Sequence, residues 1–389
     1  MPARTTGHYV PGSLAGSRYQ AFIPAPLPPD PPLDLATSEL VARKERADQA
    51  LGRLDGITLM LPDPELFLYQ YVRKEALLSS QIEGTQSSLS DLLLFEIDEA
   101  PGVPLDDVEE VSNYVAALNH GLKRLRQDDF PLSLRLIREM HALLLRGGRG
   151  AGKQPGEFRK GQVWIGGNTP ALAHFVPPPP EALNPLLADF ERFLHLPASD
   201  VSPLVKAALA HVQFETIHPF SDGNGRLGRL LIALILCAEG VLREPSLYLS
   251  LYFKRHRAEY YDRLNAVRLN GDWEGWLGFF LDAIADTAQQ AVTTAQRLLE
   301  LLAKDRARIA GLGVRAGTVG LVFDQFARRV LLGVPQVQPH LALSAPTIRA
   351  AVRTLEEMEI VNELTGQRRH RIFAYQRYLE ILSEGAQPL

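Results

Sequence analysis

Apolar residues recur at three- and four-residue intervals along most of this chain, the period of helices lying on a core. Between Glu65 and Glu83 the positions Leu66, Leu68, Tyr71, Val72, Ala76, Leu78 and Ile82 mark one amphipathic helix, and Gly84 stands behind it as a stop. The same period predicts helices over Leu105–Arg126, Ser133–Leu145, Glu181–His195, Pro203–Thr216, Arg226–Ala238, Leu249–Leu269 and Trp273–Lys304. The pattern breaks between 146 and 180. GGRGAGKQPG reads as a loop, Gly161–Ile165 as a short β-like stretch, and Pro177–Pro180 closes the segment, so a β-hairpin flap over the helical body is expected. Residues 1–34 contain PAPLPPDPPLD and read as an extended arm without a core of its own. The texture changes again at 305–389. Helices are expected over Thr318–Leu332, Val337–Ala342 and Ala345–Met358, with Pro339 and Pro346 in first turns and Ser344 as an N-cap. Strands at Ile360–Leu364 and Arg371–Tyr375 follow, around Thr365-Gly366, and three helices before a hairpin form a winged helix-turn-helix pattern.

Composition narrows this picture only a little. The 389 residues are 46% hydrophobic and 22% charged, enough for a large core, and the net charge of −4 leaves any surface for a polyanion to local patches. Cys237 is the single cysteine, and the first residues hold no apolar signal core, so a cytoplasmic setting is expected. The longest apolar run, Leu230–Ala238, is half the length of a membrane span and reads as a buried helix.

Candidate chemistry concentrates in His218–Arg229, HPFSDGNGRLGR. Pro219 ends the preceding helix. Gly223-Asn224-Gly225 lets successive N–H groups converge, and a helix begins at about Gly225, so an anion nest is present before any side chain is counted. Arg226 and Arg229 share a helix face and suit phosphate oxygens. Asp222 at the loop mouth can hold a phosphate-bound Mg²⁺, and His218 can act as a general base. These are the parts that phosphoryl or nucleotidyl transfer needs. His211 and His218, seven apart, do not have zinc-ligand spacing.

The segment resembles the Fic (filamentation induced by cAMP) family signature, H-x-F-x-[DE]-G-N-G-R-x-x-R, at every fixed position. The resemblance implies a mainly helical fold and a protein adenylyltransferase that moves AMP from ATP to a hydroxyl of a target protein. His218 would deprotonate that hydroxyl, Phe220 would anchor the loop, Asp222 would bind Mg²⁺, and Gly223, Asn224, Gly225, Arg226 and Arg229 would hold the phosphates. The related Doc kinases carry a lysine where this chain has Gly225, which favours AMP transfer. The flap, Gln162–Gly167 with Val163, Trp164, Ile165 and Gly166, would align the target as an added strand. Tyr260 and Tyr261 resemble a tyrosine pair that contacts adenosine. Ser79-Ser80-Gln81-Ile82-Glu83-Gly84 looks like the family's inhibitory motif, [ST]-x-x-x-E-[GN], and implies that Glu83 pairs with Arg229 and removes it from the ATP γ-phosphate. In some relatives that glutamate instead supports removal of AMP from the modified target, and this alternative stays open.

Residues 305–389 carry 11 Arg, no Lys and 8 acidic residues. Arg349 and Arg353 lie one turn apart on the expected recognition helix, while Arg368, Arg369, His370 and Arg371 crowd the expected wing. DNA contact is one expectation, with the core then acting as a nucleotide sensor, and protein contact or dimerisation is another. The chain is therefore expected to be mainly α. It divides into a proline-rich arm (1–34), a helical segment with the inhibitory helix (35–131), a Fic core with a small flap (132–282), a linking helix (283–304) and a winged-helix domain (305–389). Expected partners are a protein substrate, which can be the chain itself, and a second copy in a homodimer, with no membrane.

Overall fold

The structure is a computed structural model that describes residues 4–14, 16–60, 64–97, 104–128, 130–147, 150–366 and 370–388, with only the backbone at 59, 60 and 64–67. Leu66, Arg368 and Arg369 fall outside what is described, the first in its side chain alone. Two strands, β1 (Gly7–Leu14) and β2 (Ser17–Pro24), precede α1 (Ser38–Met60), α2 (Pro64–Ile82), α3 (Leu89–Glu96), α4 (Leu105–Gln127) and α5 (Leu134–Leu144). Then come α6 (Leu183–Leu194), α7 (Pro203–Ile217), α8 (Asn224–Ala238), α9 (Ser250–Arg255), α10 (Arg257–Asn270) and α11 (Trp273–Ala310). The last elements are α12 (Ala316–Arg329), β3 (Leu331–Gly333), α13 (Val334–Val337), α14 (Ala345–Glu357), β4 (Asn362–Glu363), β5 (Ile372–Ala374) and α15 (Gln376–Ser383).

Helices α7 and α8 form the centre. Every residue from Leu204 to Ile217 is buried, as is every residue from Arg226 to Leu236, so these two are covered on all sides and need neighbours all round. α4 and α5 cover one side, while α2 and α9 meet on another. The 38-residue α11 begins beneath α7, where Trp276 Nε1 donates to Ala208 O at 2.9 Å, and ends against α12 and α15. α1 lies along α11.

Several expectations change here. The segment read as an arm without a core is a hairpin, registered from Gly7 opposite Pro24 to Leu14 opposite Ser17. Ala21 and Phe22 are buried, Phe22 packs on Tyr9 and Phe175, and its N–H donates to Val176 O at 2.9 Å. Pro24 ends β2, and the prolines from Pro26 onward follow the strands and do not prevent them. The flap is no extended hairpin: Ile165 and Phe175 form one isolated bridge. Leu249–Leu269 is two helices, because the chain turns at His256 (φ −108°, ψ 38°) without a glycine or proline to signal it. The expected linking helix is the second half of α11, which runs on to Ala310. In the C-terminal region the second helix is a single turn, α13, followed by a 3-10 turn at Gln338–His340, and the sheet order is β3-β5-β4.

Candidate active site at the start of helix α8

His218 closes α7 in the left-handed conformation (φ 49°, ψ 60°), a backbone state that costs a branched-ring residue about 1 kcal/mol and persists only where its surroundings hold it. Its Nδ1 lies 3.3 Å from Glu215 O. A carbonyl only accepts, so Nδ1 carries the hydrogen and Nε2 keeps a free lone pair. Burial pushes the imidazole down to about 4, with Arg159 and Arg268 adding to the shift, so the ring is neutral at neutral pH.

The loop after it is fastened from within. Asn224 Oδ1 accepts from Phe220 N and Asn224 Nδ2 donates to Phe220 O, both at 2.9 Å. The Asn224 side chain is therefore a staple, leaving its backbone for a ligand. Phe220 is buried and stacks on His141, with centroids 3.7 Å apart. His141 in turn receives Gly156 N–H on Nδ1 at 2.8 Å and donates from Nε2 to Asp222 O at 3.0 Å. Gly223 (φ 75°) is the N-cap of α8, where a left-handed turn points N–H groups toward one spot. Asp222 is half-exposed at the mouth, and its Oδ1 accepts from Gly223 N at 2.6 Å.

Both arginines are buried. Arg226 Nη1 donates to Glu110 Oε2 at 3.0 Å, while its Nε has no partner among the described residues. Arg229 Nε donates to Ser79 Oγ at 2.9 Å, and Nη2 donates to Ser79 O at 2.9 Å and to Glu83 Oε1 at 2.7 Å. The Arg229 side chain is 2% accessible and that of Glu83 38%, so the pair opens to solvent from the carboxylate side. Burial alone would raise the Glu83 carboxyl, but Arg229, Arg226 and His218 outweigh it and hold it below its ordinary value. A β-carbon placed on Gly225 would stand 2.3 Å from Glu83 Oε1 and 3.1 Å from Arg229 Nη1. The carboxylate thus rests against the first turn of α8, where the nest would receive an anion. Gly84 (φ 104°) makes the turn that ends this approach.

The tyrosine pair divides. Tyr260 is buried with its hydroxyl on His211 Nε2 at 2.8 Å, so its ring belongs to the core, whereas Tyr261 is 40% exposed beside Arg257. On the flap, Val163, Trp164 and Ile165 are half-buried and Gly166 is exposed with φ 71°. The N–H groups of Val163 and Trp164 have no backbone partner among the described residues.

Sequence reasoning missed three neighbours. His141 sits on the buried face of the amphipathic α5 with nothing to mark it. Glu215 is buried one turn before His218. Its Oε1 has no partner among the described residues, and burial pushes its carboxyl up to about 7. Gln81 is buried two residues before Glu83. Its Nε2 donates to Ser87 O and Ala386 O, each at 2.9 Å, and its Oε1 accepts from Lys254 Nζ at 2.7 Å. Lys254 also donates to Gln387 O, so the segment after α15 touches the end of α2.

Fold and site together define a helical scaffold around one helix-start anion nest. Residues 41–123 match the model of the Fic/DOC family N-terminal region and residues 131–236 that of the Fic/DOC family, so the chain is a Fic/DOC-family protein over these residues. The first match contains Glu83, the second His218 to Arg229. The chain is 32% identical over 254 residues to the protein adenylyltransferase Fic of Aedes aegypti, covering 63% of this chain and 46% of the relative. It is 32% identical over 210 residues to the protein of the same name from Culex quinquefasciatus, covering 53% and 39%. The chain thus spans less than half the length of these curated relatives. A Fic family protein of Desulfovibrio desulfuricans shares the fold, with a TM-score of 0.58 at 22% identity over 87% of this chain and 96% of that one. Fic-1 (residues 134–508) of C. elegans aligns with a TM-score of 0.51 at 24% identity over 69% and 79%.

Proposed function

We propose that this chain moves AMP from ATP to a Ser, Thr or Tyr hydroxyl of a target protein, and that Glu83 restrains the transfer. The observation that carries this reading is the Glu83 carboxylate resting against Gly225 and bonded to Arg229, on the ground that ATP phosphates would occupy. In the reaction the target oxygen bonds to the α-phosphorus, the bond to the leaving pyrophosphate breaks, and His218 Nε2 takes the hydroxyl proton. The backbone nest with Arg226 and Arg229 stabilises the phosphate charge. A charged carboxylate competes directly with phosphate for the Arg229 fork.

Asp222 fits Mg²⁺ in a limited way. Its carboxylate is half-exposed with one oxygen on Gly223 N–H, and no group of three metal-ligating side chains exists among the described residues, so the phosphates themselves would complete the coordination. Such an ion would neutralise phosphate charge.

The test is label transfer from ATP marked on its α-phosphate, with wild type, Glu83→Gly and Glu83→Gly/His218→Ala. The expected result is covalent label on the chain itself or on a lysate protein, strong only in Glu83→Gly. Absence of label in Glu83→Gly with Mg-ATP bound would sink the reading. Removal of AMP by the same site is the reverse reading, and its mark would be a loss of that removal in Glu83→Gly. A DNA-contacting C-terminal domain remains a second reading, favoured by a groove of about 570 Å³ lined by Arg349, Arg353 and Arg371. Salt-dependent duplex binding that survives His218→Ala would support it. A homodimer and a cytoplasmic setting belong to the same proposal. No helix among the described residues is long and apolar enough to cross a membrane.

A further inference from the structure

Arg159 lies between α5 and the flap bridge, and its side chain is almost wholly buried. It forms no ion pair among the described residues, and its guanidinium instead meets four carbonyls. Nε donates to His218 O at 2.8 Å, Nη2 to Pro178 O at 2.6 Å and Ile217 O at 3.4 Å, and Nη1 to Gly161 O at 3.1 Å. Its backbone N–H donates to Pro219 O at 2.9 Å. Burial pushes this guanidinium down to about 10, so it remains charged at neutral pH. Burying a cation without a carboxylate is costly, and here the compensation comes from carbonyl dipoles, two of them at the C-terminal end of α7.

The four carbonyls come from the two halves of the candidate active site. Ile217 and His218 belong to the left-handed turn that aims the imidazole. Gly161 and Pro178 are the two margins of the flap, on either side of the Ile165–Phe175 bridge. One rigid, planar group with five donors therefore fixes the distance between them, which a lysine with a single nitrogen cannot do. We propose that Arg159 is a positioning residue for AMP transfer, locking the His218 turn and registering the flap against it. The inference rests on the proposed function and assigns a determinant outside the His218–Arg229 motif.

The consequence is specific. Near-attack geometry tolerates little displacement, and an error of about 1 Å costs on the order of 100-fold in rate. The test replaces Arg159 by Lys, which keeps the charge, in the Glu83→Gly chain. Three quantities are read: the melting temperature, the rate of label transfer from α-labelled ATP, and the ¹⁵N signals of the His218 ring, assigned by difference from His218→Ala. With the melting temperature within about 3 °C of the parent, the expected outcome is transfer slowed at least ~tenfold, and loss of the Nδ1-protonated tautomer as a single species. An unchanged rate with an unchanged tautomer overturns the proposal. So does a rate that falls only in proportion to the folded fraction, and a slow rate with the tautomer intact overturns the hold on His218. If the Glu83→Gly parent transfers no label, the functional reading fails instead, and the tautomer comparison still decides whether Arg159 sets the histidine.

Discussion

The start of α8 and the end of α2 meet at Arg229 but are made in opposite ways. The α8 start is fastened by its own neighbours: Asn224 returns to Phe220 twice, and Asp222 holds Gly223. The α2 end is turned by backbone bonds, Glu83 N–H to Ser80 O at 3.0 Å and Gly84 N–H to Gln81 O at 3.1 Å, but among the described residues no side chain of its own segment bonds the Glu83 carboxylate. The helix end is held from afar, by Glu75 on Ser250 and by Gln81 on Lys254 and Ala386. The bonds of Asn224 and Asp222 within the loop do not involve Glu83. A carboxylate bonded to Arg229 alone can leave without breaking those loop bonds, which is the asymmetry the proposed restraint requires.

The largest effect should come from the nest side. In the Glu83→Gly chain, His218→Ala is expected to lower AMP transfer by about 100- to 10,000-fold, the span of a lost general base, measured as initial rate of labelling. Next, Glu83→Gly alone should raise transfer about fivefold to tenfold. A charged hydrogen bond half-open to solvent is worth roughly 1 kcal/mol, which sets that scale. Arg229→Ala should cancel the gain, so a double-mutant cycle that came out additive would separate the two residues. Gln81→Leu should give a smaller rise, about twofold, together with a lower melting temperature, because buried Lys254 then loses a partner. The smallest effect concerns pH. The Glu83 carboxyl is held below its ordinary value, so the ionised restraint is present above that value and is lost only as pH falls through its lowered one. The His218 ring, pushed down to about 4, is a free base above that pH and is lost as a base only below it. The ratio of Glu83→Gly to wild-type rates should therefore stay flat from about pH 7.5 down to about pH 5. A ratio that collapses in that window would show that proton uptake releases the restraint.

The same contrast decides what the sequence could reveal. The His218–Arg229 loop was legible because its partners are contiguous and its residue types are dictated by backbone chemistry. The helices flanking it were legible by period. Tyr260 and Tyr261 could not be separated, since neighbours on a helix point about 100° apart and only packing says which one faces the core. Arg159 and Gln81 escaped because their partners are backbone carbonyls and distant side chains, which carry no residue signature. The N-terminal hairpin escaped because its strands lack strict alternation: Ala21 and Phe22 are adjacent and both buried.

Helix α11 gives the molecule its mechanics. Its 38 residues amount to a rod of roughly 57 Å, supporting α7 at one end through Trp276 and holding Tyr375 at the other, where the Tyr375 hydroxyl donates to Asp305 at 2.7 Å. Ala288, Ala291, Ala295 and Leu298, in its middle, are fully buried, so the stretch between the two regions is one unbroken helix packed along one face. One continuous helix therefore runs from beneath α7, the helix that ends at His218, to the C-terminal region.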